Sequence, residues 1–166
     1  MEDRYLYKAK RLDNGEWVEG YLIKVKRDFY ICAHPYECMK VHSSNDGQFY
    51  GFGGFKLVDP STICQCTELP DKNNKKIWEN DITRLILTNG EVRYFKVSFR
   101  KVVRDVLCHP DFDDDVAKVE LNAVCFEWNG YDLFPCVDVA GISDVAKMEV
   151  VGNIFDNPEL LEGDQK

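Results

Sequence analysis

The chain has 166 residues, 45% hydrophobic and 30% charged, enough for one domain to bury a core without metal or disulfide staples. Its formal net charge of −8 argues against nonspecific binding to a polyanion such as nucleic acid. The opening MEDRYLYKAK interleaves charges where a secretory signal needs an apolar run, and no later apolar stretch approaches a membrane span.

A cytoplasmic protein is therefore expected, with no membrane partner. Seven cysteines, an odd number without a disulfide-like spacing, fit reduced thiols in a reducing compartment. The charge is unevenly divided: residues 1–104 carry a net +4 and residues 105–166 a net −12. Such a division suits self-complementary faces in a homo-oligomer, an acidic surface aimed at a basic partner, or a solvated face.

In chain order, the first predicted element is a hairpin of residues 5–12 and 17–25 around Asn14-Gly15, a dipeptide that readily supplies positive φ in a tight turn. Gly51, Gly53 and Gly54 follow in FYGFGGFKLV; the run continues into β-like sequence rather than a helix, so a loop or bulge is expected there instead of a phosphate cradle. Asn89-Gly90 separates a strand over 82–87 from a long one over 91–106, and Asn129-Gly130 follows a strand over 119–128. Period-two alternation through these runs predicts a mainly β protein with an antiparallel meander. Asn157-Pro158-Glu159 holds the best helix start, with a capping residue, a first-turn proline and an acidic residue matched to the dipole. It predicts a short C-terminal helix.

Residues 62–82 resemble the central signature of the YopX family of bacteriophages and prophages, which runs approximately Q-x-T-G-L-x-D-x-N-G-K-x-I-x-E-G-D-I. Gln65, Thr67, Leu69, Asp71, Asn73, Lys75, Ile77, Glu79, Asp81 and Ile82 stand in register. The closing VVGNIFDNPELL and the start around Trp17 are also similar to that family. Asn74 and Asn80 occupy pattern glycines and tolerate a left-handed backbone; Glu68 occupies another and tolerates it poorly, which predicts a remodelled turn after Gln65. The resemblance implies a single domain over 1–166, with an N-terminal β subdomain over 1–60 and a small SH3-like barrel centred on 61–107 that C-terminal strands complete. It implies a bacterial host cell but no established activity.

Ligand-type residues occur in Cys32-x-His34-x3-Cys38 and Cys64-x-Cys66. Cys32 and His34 share one strand face, as do Cys64 and Cys66, so zinc is conceivable if the two strands are neighbours. The spacing departs from common zinc knuckles, and buried small residues are the expected reading; no cofactor or metal is predicted. Cys108 and His109 point to opposite faces of a strand, which disfavours a nucleophile–base pair. Asp111, Asp113, Asp114 and Asp115 lack the rest of a calcium loop and form a solvated acidic cluster. Trp78 is expected as a core anchor rather than an exposed aromatic.

The run 92–104 alternates, so Phe95, Val97 and Phe99 face a core while Tyr94, Lys96, Arg100 and Arg104 share the other side. Two functions follow. The first is a noncatalytic interaction protein whose acidic cluster Asp111, Asp113, Asp114 and Asp115 meets a host or phage protein. The alternative is a module that binds single-stranded or duplex nucleic acid through Tyr94, Lys96, Arg100 and Arg104. An enzyme ranks below both, because no nucleophile, base and oxyanion set can be read.

Overall fold

The turn chemistry of the three Asn-Gly sites sets the strand pattern in a computed structural model that describes residues 5–33, 42–44, 47–49, 54–107 and 116–162. At Asn129-Gly130 both residues take positive φ, 47° and 80°, which closes a two-residue hairpin. At the other two sites only Gly15 and Gly90 do so, at 72° and 84°. There the Asn14 and Asn89 side chains accept the N–H of Glu16 and Glu91, each at 3.0 Å, and the turns are longer.

The described strands are β1 (Leu6–Lys10), β2 (Trp17–Val25), β3 (Asp28–Cys32), β4 (His42–Ser44), β5 (Gly47–Phe49), β6 (Phe55–Val58), β7 (Cys64–Pro70), β8 (Lys76–Trp78), β9 (Asp81–Ile86), β10 (Val92–Leu107), β11 (Val116–Trp128), β12 (Tyr131–Leu133) and β13 (Glu149–Asn153). One sheet has the order β6-β3-β2-β1-β7-β8 and another β12-β11-β10-β9-β13, with β4 and β5 paired separately. The registered pairings in both larger sheets are antiparallel. The chain divides into two compact units, Met1–Leu69 with Lys76–Trp78, and Pro70–Lys75 with Glu79–Lys166.

In the first unit Ala9, Ile31 and Val58 are buried together, with Tyr7, Val18, Leu22, Phe29 and Ile63 packed against them. At Gly20 of β2 the Cys32 backbone of β3 approaches so closely that a Cβ would overlap it. In the second unit Phe95, Val97 and Phe126 are buried. Registers Phe95↔Thr83 and Val97↔Phe126 place them on one face of the sheet, where the Thr83 hydroxyl donates to Met148 Sδ at 3.6 Å. Phe95 and Val97 thus take the core side predicted by alternation, with Phe99 half-buried beside them.

Two expectations are corrected. No closed SH3-like barrel spans 61–107: β7 and β8 belong to the six-stranded sheet, β9 and β10 to the five-stranded one, and neither sheet closes. A single bridge, Arg11↔Val58, draws β6 toward the end of β1 without extending into a ladder. The C-terminal helix is instead a 3-10 turn, Pro158–Leu161, whose Asn157 makes no side-chain capping bond. The Asn157 side chain lies over Gly152, filling the space a Cβ would occupy, and is committed to that packing.

Candidate interaction surface

The most specific residues of the sequence hold turns together. The Asp71 carboxylate accepts N–H groups of Asn73 at 2.8 Å and Lys75 at 2.9 Å through Oδ1, and of Val150 at 3.0 Å through Oδ2. Burial pushes its pKa up, but the backbone donors from Val150, Lys75 and Asn73 prevail and hold it below the usual carboxylate value. The Thr67 hydroxyl donates to the Ile77 carbonyl at 2.8 Å and accepts from Leu69 N–H at 3.2 Å. Glu68, between them, keeps φ at 63°, as Asn74 and Asn80 do at 62° and 65°. Glu68 thus takes, within β7, a left-handed backbone that glycine adopts more readily. In the closing motif, Asn153 Oδ1 accepts from Phe155 and Asp156 N–H at 2.9 and 3.0 Å, and Ile154 N–H donates to the Asn80 carbonyl at 3.0 Å.

Tyr94, Lys96, Arg100 and Arg104 share one face of β10, yet carboxylates accompany them. Lys96 pairs with Glu127 at 3.8 Å, and Arg100 with Glu127 at 2.7 Å and Asp132 at 3.5 Å. Burial raises the pKa of Glu127, but Ser98, Arg100 and Lys96 outweigh it and hold the carboxyl ionised. The Arg104 guanidinium lies over the Phe134 ring, 4.4 Å from its centre. Ser98 and Val102, on this same face, are buried, so it is partly covered rather than an open platform. A small cavity of about 190 Å³ opens beside Tyr94, Lys96, Glu127 and Trp128.

Cys32 is disulfide-bonded, whereas Cys64, Cys66 and Cys125 are free and buried. The reduced state expected of every cysteine is thus corrected at Cys32. β3 and β7 are separated by β2 and β1, so the neighbouring strands required for zinc are absent. Among the described residues, no group of three His, Cys, Asp or Glu is placed to hold a metal. His34, Cys38, Gly51, Gly53, Cys108, His109, Asp111, Asp113, Asp114 and Asp115 lie outside the described residues. Trp78 is 3% exposed, as a core anchor should be, with Lys8 Nζ 5.6 Å from its ring centre. Lys8 and Lys10 also lie over Trp17, at 5.1 and 5.5 Å. That lysine–tryptophan cluster escaped the sequence reading, although Leu6-Tyr7-Lys8-Ala9-Lys10 alternates visibly.

The second unit carries a long two-stranded ribbon. β10 and β11 pair continuously from Lys96↔Glu127 to Leu107↔Val116. β9 pairs with β10 only over Val92–Lys96, and β12 with β11 only over Phe126–Trp128. The segments 100–107 and 116–123 consequently run on with no described strand against either outer edge. Val103, Val106, Val116 and Leu121 on them are 54%, 37%, 50% and 43% exposed. One ribbon face carries the ion pairs Lys101–Glu120 at 2.5 Å and Lys118–Asp105 at 3.6 Å. The other carries Val102, Val106, Ala117, Val119 and Leu121 beside Arg100 and Arg104, as the register requires.

These observations define a mainly β protein of two antiparallel sheets with an open β-ribbon. The family described as YopX protein matches residues 6–162. The chain belongs to the YopX family. No curated protein matches it, and among the described residues no helix is long and apolar enough to cross a membrane.

Proposed function

We propose that this chain is a noncatalytic interaction protein of a phage or prophage, acting in the cytoplasm of the bacterial host by binding a host or phage protein through the β10–β11 ribbon. The observation that carries this reading is the ribbon itself. Two-stranded ribbons are marginal in water on their own, and long unpaired edges with exposed valines are features that proteins suppress unless they are used. The sequence joining the two strands contains Asp111, Asp113, Asp114 and Asp115, and that run of carboxylates suits a basic partner. Changing these four aspartates jointly to asparagine tests it: partner binding should fall at least tenfold, and unchanged binding rejects the acidic contact.

The nucleic-acid reading through Tyr94, Lys96, Arg100 and Arg104 is weaker. Two of its cations already face Glu127, and a phosphate would meet that carboxylate as well.

A further inference from the structure

We infer that the outer edge of β11 pairs antiparallel with the same edge of a second copy, about a twofold axis at Val119. This rests on the reading of the ribbon as the interaction element and names one partner for it, the chain itself.

The backbone determines which residues are available. The two-residue turn at Asn129-Gly130 makes Trp128 and Tyr131 a hydrogen-bonded pair. The N–H and C=O of Trp128 therefore face β12. Strand alternation then turns the backbone groups of Val116, Lys118, Glu120 and Asn122 off that same edge. Beyond Phe126 no described strand, bridge or turn hydrogen bond closes it. With the axis at Val119, Lys118 lies opposite Glu120 of the second copy and Glu120 opposite its Lys118. Each of these pairs exchanges two backbone hydrogen bonds.

Charge selects this register. An axis at Lys118 or Glu120 opposes like charges, and an axis at Leu121 brings no opposite charges together. The axis at Val119 instead extends the pairs already present into an alternating row: Asp105, Lys118, then Glu120 and Lys101 of the second copy. On the opposite face Val119 meets its own twin and Ala117 meets Leu121, so apolar groups oppose one another there. The β10 edge is a poorer choice. Self-pairing about Val103 would align Lys101 with Asp105, but it would also gather Arg100 and Arg104 of both copies on one face. The β11 edge from 116 to 123 holds only Lys118 and Glu120 as charges and is neutral. An isologous contact of this kind closes as a dimer, and a single added strand pair implies weak, concentration-dependent association.

Sedimentation equilibrium of the purified full chain tests this. The wild-type mass should rise from 19.2 kDa toward twice that value across the micromolar range. Lys118→Glu and Glu120→Lys should each raise the dissociation constant about tenfold or more, while an equimolar mixture of the two variants should associate again, because every opposed pair in the mixed dimer is complementary. Asn122→Pro removes an outward N–H without touching the β10 ladder and should also weaken the dimer. Circular dichroism checks that each variant is folded; the ion pairs lost are exposed and add little stability. A chain that stays monomeric, a dimer indifferent to all three substitutions, or folded charge variants that fail to associate when mixed would each overturn the proposal. No other protein is present in this measurement, so its failure is distinguishable from failure of partner binding.

Discussion

Asp71 shows how a signature residue can be structural. Its carboxylate serves three N–H groups, and removing it leaves those donors with poor replacements. Asp71→Ala should cost about 3 kcal/mol in denaturant unfolding, and Asp71→Asn, which keeps an acceptor, clearly less. Glu68 works in the opposite direction. It sits at φ 63°, spanned by the Leu69 N–H bond to the Thr67 hydroxyl, so Glu68→Gly should stabilise the chain by about 1 kcal/mol despite the added freedom of the unfolded state. A decrease in melting temperature would refute the strain. The positive φ of Asn74 and Asn80 was legible from their residue type; that Glu68 would also take positive φ was not, because the neighbouring Thr67 hydroxyl bonds the Ile77 carbonyl, ten residues from Thr67. Glu149 adds a pH test. Lys72 and Arg84, at 2.8 and 2.7 Å, hold its pKa at about 2 against an ordinary 4.5. A depressed carboxylate contributes stability that is complete above its unfolded value and is lost as pH falls through the folded one. Melting curves of wild type should therefore fall between pH 4.5 and about 2, and Glu149→Gln should flatten that part of the profile.

At the scale of elements, alternation and Asn-Gly turns revealed the strands, including the long run that became β10. They did not reveal which strands are neighbours. β7 and β8 join one sheet and β9 and β10 another, which removes the SH3-like barrel, and within the six-stranded sheet β2 and β1 stand between Cys32 on β3 and Cys64 and Cys66 on β7. The short helix fails for a related reason: Asn157 has the right type to cap but is engaged over Gly152. The basic face was legible as Tyr94, Lys96, Arg100 and Arg104, whereas Glu127 and Asp132 opposite it arrive by cross-strand register, about thirty residues later in the chain. Those carboxylates should keep oligonucleotide affinity low and unresponsive to joint neutral substitution of Tyr94, Lys96, Arg100 and Arg104. Tight binding that weakens steeply with salt and is lost in that variant would establish the nucleic-acid site instead. Lys118, Val119 and Glu120 gave no functional signal in the sequence, since an open edge is a property of where β12 stops.

For the whole molecule, the division into a +4 segment and a −12 segment bears on the proposal that the ribbon binds a basic partner. Of the net −12, residues 105–123 carry −5 and residues 124–166 the remaining −7, so the ribbon's acidity is concentrated in the four aspartates of its connecting segment. Membership of the YopX family fixes ancestry without fixing a reaction, and the described fold spreads its signature residues over strands β7, β8 and β9 and the turns between them. Affinity capture from host lysate, with and without nuclease, using the wild-type chain and the variant with asparagine at 111, 113, 114 and 115, addresses the central claim most directly. The account predicts a discrete protein that survives nuclease and is lost from the variant. Recovery of nucleic acid, with all other captured material disappearing after nuclease, would contradict it.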